Sequence, residues 1–173
     1  MASDMKVGVV GAPRGRSFVK TFQTLKETTV TALCDANPEV LARIGDEYRV
    51  TERYTDYEAM LDSGIDVVVV STPMNLHVPM AVEALKRNIH VLSEVTAATD
   101  LQQCCDLVDA VRGSSAKYMM AENYCYIKWN VLIREMVRQG MFGDIYFGEG
   151  EYVHELKAHC EATPWRKIWQ GGK

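Results

Sequence analysis

The segment that decides the fold is Lys6–Ser17, which reads KVGVVGAPRGRS. Its first half is apolar and β-branched, as in a buried strand, and Gly11 begins a turn before a helical stretch. A glycine turn between a first strand and a first helix is where dinucleotide-binding domains hold a pyrophosphate against backbone N–H groups. Pro13 stands where such domains have a second glycine, and proline has no N–H. The segment therefore predicts either a phosphate cradle or a plain strand–helix turn.

Short apolar runs alternate with amphipathic stretches on either side of this segment. We predict strands at 6–10, 29–34, 66–71, 89–92 and 117–121, with a short one at Tyr54. We predict helices at 16–26, at 38–48 with Asn37 as its cap, at 55–61 opened by Thr55, at 77–87, and at 100–112 capped by Thr99. Strands and helices that alternate at such short spacings are typical of an α/β fold. The prediction is a Rossmann-type, doubly wound parallel sheet with helices on both faces.

Composition excludes several classes of protein. The 173 residues include 19 Lys and Arg and 23 Asp and Glu, which give a net charge of −4 without a basic stripe. Nucleic acid is therefore not an expected partner. No apolar run approaches the roughly 18 residues of a membrane span, so no membrane association is expected. The five cysteines lack C-x-x-C spacing, so we expect neither a disulfide framework nor a metal site, and we predict a cytoplasmic location.

Asp35 follows the second predicted strand and is the second candidate binding residue. A carboxylate at this point, about 20 residues beyond the glycine turn, accepts hydrogen bonds from an adenosine ribose in NAD-binding domains. Ala36 and Asn37 follow it, where an NADP-binding protein would often have a basic residue. The sequence thus favours NAD over NADP. The alternative interpretation is that Asp35 only forms the turn before Asn37 and Pro38.

Three further segments carry a resemblance to a known family. They are Ala32–Glu39 (ALCDANPE), Val69–His77 (VVSTPMNLH) and His90–Ala97 (HVLSEVTA). In order and spacing they resemble the second-strand, T-P-x-x-x-H and H-V-x-x-E-K-P segments of the glucose–fructose oxidoreductase and inositol dehydrogenase family (Gfo/Idh/MocA). The resemblance extends to GMFGDI at 140–145. It implies an N-terminal Rossmann domain and then an α/β domain with a mainly antiparallel sheet.

The resemblance also implies cofactor roles for residues at the carboxyl ends of the strands, where α/β sheets bind ligands. The glycine turn would approach the pyrophosphate and Asp35 the ribose, while Glu94 and Asn123 would lie near the nicotinamide end. The implied cofactor-binding residues are Gly11, Ala12, Pro13, Arg14, Gly15, Asp35, Ser71, Thr72, Pro73, Asn75, His77, Glu94 and Asn123.

Val95 is the main departure from the family pattern. The family usually has Lys at this position, where it contacts the substrate hydroxyl that loses a proton, and Thr96 replaces the usual Pro. Valine can neither donate nor accept a proton. The family's acid/base Asp and His would lie beyond Lys173. The catalytic residues therefore stay unassigned.

The pattern changes after Asn123, so the predicted domains are 1–123 and 124–173. Trp129, Leu132, Ile133, Met136 and Val137 have the spacing of one apolar helix face that packs in a core. Residues 144–153 alternate like a half-exposed strand of an antiparallel sheet, and a lone strand needs a partner. We predict a homo-oligomer through this strand, with another polypeptide or further sequence as alternatives. Trp165 and Trp169 are expected to cover an apolar face.

These residues lead to three functional hypotheses. The first is an oxidoreductase that moves hydride between a nicotinamide cofactor and a sugar, cyclitol or similar polyol. The second is a glycoside hydrolase of the same family that uses NAD without net production of NADH. The third is a non-catalytic nucleotide-binding fragment or module, which Val95 and the incomplete second domain favour.

Overall fold

The computed structural model describes residues 4–163, and its main feature is a six-stranded parallel sheet. The strands are β1 (Met5–Val10), β2 (Thr28–Cys34), β3 (Glu52–Tyr54), β4 (Val67–Val70), β5 (His90–Ser93) and β6 (Tyr118–Met120). Their order in the sheet is β3-β2-β1-β4-β5-β6, with every neighbouring pair parallel. This is the strand order of the dinucleotide-binding Rossmann fold. The predicted fold class is confirmed.

Helices connect the strands and cover both faces of the sheet. They are α1 (Ala12–Phe22), α2 (Pro38–Tyr48), α3 (Tyr57–Leu61), α4 (His77–Lys86) and α5 (Leu101–Arg112). Two more helices, α6 (Lys128–Arg138) and α7 (Lys157–Ala162), follow the last strand. Two short 3-10 turns occupy Met74–Leu76 and Asn123–Tyr126. Within the described part of the chain, no helix is long and apolar enough to cross a bilayer.

The buried core forms two layers, one on each face of the sheet. Val69 of β4 packs with residues of α1 and α2, including Val19 and Leu41. Val68 and Val70 pack on the opposite face with residues of α3, α4 and α5. Successive side chains of a strand point to opposite faces, so a strand buried on both sides is apolar at every position. This explains the uninterrupted valine run of β4.

Several element boundaries differ from the predictions. α1 begins at Ala12 rather than at residue 16 and ends at Phe22, because Pro13 has the φ angle of a helical first turn and needs no N–H there. α3 is capped by Asp56 rather than Thr55, and α5 by Asp100 rather than Thr99. In both helices the aspartate carboxylate accepts the backbone N–H three residues later. The predicted cap of α2 by Asn37 is confirmed.

The described chain falls into two compact units that divide between Glu122 and Asn123. In the second unit α6 forms as predicted, but its apolar face is not in a core, since Trp129 is 60% exposed and Leu132 53%. The prediction of a strand over 144–153 is wrong: these residues form no strand and are exposed. A strand needs a hydrogen-bonded neighbour, and the described residues of this unit supply none. The expected roles of Trp165 and Trp169 lie outside the described residues.

Candidate functional site

The carboxyl ends of β1 and β4 form the switch point of the sheet. The chain leaves β1 into α1 on one face and leaves β4 towards α4 on the other. In open α/β sheets this divergence opens a crevice in which ligands bind. Most of the predicted cofactor-binding residues lie at this edge of the sheet.

Gly11 joins β1 to α1 in a conformation that requires glycine. Its φ angle is 84°, in the left-handed region. A Cβ atom at this position would lie 2.5 Å from the carbonyl oxygen of Ser71, so the two chain segments touch backbone to backbone. The Gly11 N–H also donates to the carbonyl of Cys34, at 2.9 Å. Gly11 therefore holds the ends of β1, β2 and β4 together.

The Asp35 carboxylate lies at the N-terminus of α1. Its Oδ2 accepts the Ala12 N–H at 3.0 Å, and its Oδ1 accepts the Asn37 N–H at 2.9 Å. Each oxygen keeps a second lone pair that a ribose hydroxyl can use. Because the Ala12 N–H donates to Asp35, it is not available to another acceptor, and Pro13 has no N–H. The first two positions of α1 thus leave no free N–H for a phosphate.

Gly15 faces the sheet rather than the crevice. A Cβ atom there would lie 2.7 Å from the Ser71 hydroxyl oxygen, and the residue is buried. The Ser71 hydroxyl in turn lies 2.7 Å from the Val10 carbonyl and 3.1 Å from the Gly11 carbonyl. Gly15 and Ser71 therefore hold α1 close to the sheet. The expected approach of Gly15 to the pyrophosphate stays a prediction.

Arg14 and Glu94 form an ion pair across the strand ends. The Arg14 Nε donates to Glu94 Oε1 at 2.6 Å, and Glu94 Oε2 accepts the Val95 N–H at 2.8 Å. Glu94 is buried, whereas Arg14 is exposed. This pair places one cation and one anion beside the crevice.

His77 is buried beneath the crevice, and both of its ring nitrogens lie against backbone carbonyls. Nε2 is 2.8 Å from the Thr72 oxygen and Nδ1 is 2.8 Å from the Thr96 oxygen. The ring joins the loop after β4 to the loop after β5. Both ring nitrogens thus have backbone partners, and the expected place of His77 near the cofactor ribose and phosphates stays a prediction. The structure gives this side chain a positioning role.

Residues 5–122 match the family described as "Oxidoreductase family, NAD-binding Rossmann fold" (GFO_IDH_MocA). The match covers the whole of the six-stranded sheet. This chain belongs to that oxidoreductase family. The predicted resemblance to Gfo/Idh/MocA proteins is confirmed.

The chain is also similar in sequence to proteins named as glycosyl hydrolases. The chain is 35% identical over 167 residues to "Glycosyl hydrolase family 109 protein 2" from Shewanella sp. (strain ANA-3), a match that covers 89% of this chain and 36% of that protein. The chain thus spans a little over a third of the length of that relative.

Two solved structures have the same fold. Myo-inositol 2-dehydrogenase from Lactobacillus plantarum superposes with a TM-score of 0.88 at 17% identity, over 98% of this chain and 51% of that one. The WlbA dehydrogenase from Bordetella pertussis, in complex with NADH and UDP-GlcNAcA, superposes with a TM-score of 0.78 at 25% identity. That match covers 84% of this chain and 43% of the dehydrogenase.

The remaining predicted site residues of this oxidoreductase-family chain differ in how exposed they are. Thr72 and Pro73 are half-buried after β4, and Asn75 is exposed in the 3-10 turn that follows. Val95 is 37% exposed directly after Glu94 and presents an apolar surface. Asn123 is exposed and is the first residue of the second compact unit. Residues 4–163 contain no group of three or more potential metal ligands.

Two features of the site were not expected from the sequence. The Arg14–Glu94 pair joins residues 80 positions apart, which no local pattern indicates. Cys34 lies buried at the end of β2, next to Asp35. Burial, reinforced by the negative charges of Asp35 and Asp56, raises the pKa of the Cys34 thiol to about 12. This cysteine is therefore a neutral packing residue rather than a nucleophile.

Proposed function

We propose that this chain binds NAD(H) at the carboxyl ends of its strands. We further propose that it is the cofactor-binding part of an enzyme that moves hydride between nicotinamide and a carbinol carbon of a sugar, cyclitol or similar polyol. The observation that carries the proposal is the Asp35 carboxylate at the first turn of α1, beside Gly11 and at the switch point of a Rossmann sheet. Nicotinamide supplies the hydride chemistry, and the protein binds and orients both reactants.

The residues fit a dinucleotide in distinct ways along its length. Asp35 would accept hydrogen bonds from the hydroxyls of the adenosine ribose through its remaining lone pairs. The diphosphate would lie at the α1 N-terminus beside Arg14, and Thr72, Pro73 and Asn75 would line the cofactor beyond β4. Glu94 would lie near the nicotinamide ribose, and Asn123 near the ring. The polyol class is supported by the solved relatives named as inositol dehydrogenases.

NAD is the proposed cofactor in preference to NADP. A shallow depression beyond β2 is lined by residues 35–39, which include the carboxylates of Asp35 and Glu39. A 2′-phosphate in this depression would be repelled by both carboxylates, and no Arg or Lys lies within this segment to offset the repulsion.

The test is a fluorescence titration of the purified chain with NADH and with NADPH. We expect NADH to bind at least about tenfold more tightly than NADPH. Asp35→Ala should weaken NADH binding about tenfold or more, because a charge-assisted hydrogen bond contributes roughly 1.5–3 kcal/mol. Asp109→Ala removes the same charge from an exposed position on α5 and serves as the control. Equal NADH affinity of the wild type and Asp35→Ala would show that the ribose assignment is wrong.

A second candidate function is hydrolysis of a glycosidic bond with NAD held throughout. Two observations favour it: the 35% identical relative is named a glycosyl hydrolase, and Val95 cannot perform the proton transfer of the family's usual Lys. A chromogenic glycoside separates the candidates. Release of the chromophore at constant NADH absorbance favours the hydrolase, and NADH formation from a polyol and NAD⁺ favours the dehydrogenase. Binding of NADH without either turnover indicates the non-catalytic module.

Two further proposals concern the cellular location and the self-association of the protein. The described cysteines Cys34, Cys104, Cys105 and Cys125 are free thiols, which is in keeping with the proposed cytoplasmic location. We also propose self-association through the second unit, although not through a strand at 144–153. Its basis is the exposed apolar face of α6. Sedimentation equilibrium of the purified chain tests this proposal.

A further inference from the structure

The Arg14–Glu94 ion pair spans the mouth of the crevice. Arg14 lies in the first turn of α1, directly after β1, and Glu94 follows β5. β4 lies between these two strands in the sheet. The side chains therefore meet across the carboxyl end of β4, over the switch point itself. A dinucleotide that enters the crevice must pass or displace this contact.

Two positions in the first turn of α1 offer no backbone donor to a diphosphate. In dinucleotide-binding domains the first N–H groups of this helix bind the pyrophosphate. Here the Ala12 N–H is donated to Asp35, and Pro13 has no N–H. A side chain can supply donors in place of these two. The guanidinium of Arg14 carries several N–H donors in a planar fork that suits phosphate oxygens.

The two members of the pair differ in how free they are to move. The Arg14 side chain is 64% exposed, whereas that of Glu94 is 11% exposed. Glu94 is also held by the Val95 N–H through its second carboxylate oxygen. Arg14 can therefore turn towards a new anion by rotating its own side chain. Glu94 stays in place when it does so.

We propose that the Arg14–Glu94 pair is a latch on the crevice, opened when the cofactor diphosphate takes the Arg14 guanidinium from Glu94. This inference rests on the proposed function, since it assumes that a dinucleotide binds here. Arg14 supplies the phosphate donors that Pro13 lacks. Glu94 competes for those donors, so it lowers the affinity of the apo protein for a diphosphate. The exchange of one anion for another sets the strength of cofactor binding.

The experiment compares ADP with adenosine as probes, by isothermal titration calorimetry at low ionic strength, where electrostatic differences are least screened. ADP carries a diphosphate and no nicotinamide ribose, so the proposed role of Glu94 near that ribose does not enter. Adenosine reports only on the Asp35 end of the site. The variants are Arg14→Gln and Glu94→Gln. Arg16→Gln is the control, because it removes the same charge two positions further along α1.

We expect Arg14→Gln to weaken ADP binding about tenfold and to leave adenosine binding unchanged. Glu94→Gln should strengthen ADP binding about three- to tenfold, because the competing charge is gone and the side chain keeps its size. Arg16→Gln should change ADP binding less than threefold. The double variant Arg14→Gln/Glu94→Gln should bind ADP like Arg14→Gln alone, since Glu94 acts through Arg14.

Two results overturn the latch while the proposed function stands. One is unchanged or weaker ADP binding in Glu94→Gln with a melting temperature equal to that of the wild type. The other is an equal loss of ADP and adenosine binding in Arg14→Gln. Failure of the wild type to bind either probe is a different result. It overturns the proposed cofactor site, and the latch falls with it.

Discussion

Gly15 lies so close to Ser71 that a Cβ atom on the glycine would be 2.7 Å from the serine hydroxyl oxygen. That hydroxyl lies within hydrogen-bond distance of the Val10 and Gly11 carbonyls, at the end of β1. The contact therefore fixes how closely α1 approaches the sheet. It also fixes where the N-terminus of α1 lies relative to the crevice, so a packing contact positions the proposed binding residues.

Gly15→Ala should destabilise the protein by about 1–3 kcal/mol, the usual cost of overpacking a well-packed interface. The added methyl group must push α1 away from β1 and β4. NADH binding should weaken as well, because the Ala12 N–H then moves relative to Asp35. Urea denaturation followed by circular dichroism measures the free energy of unfolding.

Gly148→Ala is the matched control for this change. Gly148 is exposed, and a Cβ atom there would meet nothing within 4 Å. Its free energy of unfolding should stay within about 0.5 kcal/mol of the wild type. If the two variants are equally stable, Gly15 does not set the helix–sheet distance.

His77→Phe should destabilise the protein by about 1–3 kcal/mol. The phenyl ring fills a similar volume but cannot donate, whereas a neutral imidazole donates its one N–H to either the Thr72 or the Thr96 carbonyl, and an unsatisfied buried group costs about 1–3 kcal/mol. The measurement is again urea denaturation. NADH affinity, measured well below the unfolding transition, should fall less than in Asp35→Ala, because both His77 ring nitrogens lie against loop carbonyls.

His90→Phe provides the comparison for His77. His90 is half-buried and accepts a single backbone N–H, from Lys117 at 2.9 Å. Its replacement should cost about 1 kcal/mol. A loss for His77→Phe no greater than that for His90→Phe would contradict the two-carbonyl bridge.

The sequence and the structure agree where the signal is local. The valine run of β4 predicts a strand buried on both faces, and Asn37 before Pro38 predicts a helix start, because each depends on neighbouring residues alone. The prediction for 144–153 failed for a physical reason. Alternation gives a segment two faces, but a strand also needs a hydrogen-bonded neighbour, which alternation does not supply.

Side-chain partners at the site could not be predicted for a related reason. The sequence predicts a ribose partner for Asp35 but not its contact with the Ala12 N–H. That contact depends on where α1 begins, and with Pro13 in its first turn α1 begins at Ala12, earlier than predicted. The His77 bridge joins residues in two loops that only the assembled sheet brings together. The sequence thus identifies which strand ends carry polar residues. The fold decides which of these residues face inward.

Asp56→Ala should destabilise the protein by about 0.5–2 kcal/mol, and Thr55→Ala should change stability by less than about 0.5 kcal/mol. The local spacing predicts Thr55 as the cap of α3, whereas the Asp56 carboxylate accepts the Ala59 N–H at 3.1 Å. Urea denaturation of the two variants decides between these residues. A larger loss of stability in Thr55→Ala than in Asp56→Ala would show that Thr55 caps α3, as the sequence predicts.

The burial of Cys34 should make stability depend on alkaline pH. The pKa of its thiol rises from 9.0 to about 12 in the folded protein, chiefly through burial. Between these values the unfolded chain loses the thiol proton and the folded chain keeps it. The unfolded state then binds fewer protons, so the free energy of unfolding falls as pH rises. The contribution is complete below pH 9 and is lost towards pH 12.

Urea denaturation at intervals from pH 8 to pH 11 measures this slope, which approaches about 1.4 kcal/mol per pH unit for one proton. Cys34→Ala should reduce the slope by that amount. The loss of the buried sulfur also lowers the free energy of unfolding, but by the same amount at every pH. Tyr118, whose pKa is also raised by burial, contributes equally to both proteins. The pKa of Tyr57 is raised chiefly by burial and next by the charge of Cys34, so the part that depends on Cys34 is lost together with the thiol. Cys104→Ala, at an exposed position on α5, should keep the wild-type slope. Parallel curves for the wild type and Cys34→Ala would mean that the thiol ionises as readily in the folded protein as in the unfolded chain, and that the end of β2 beside Asp35 is open to water.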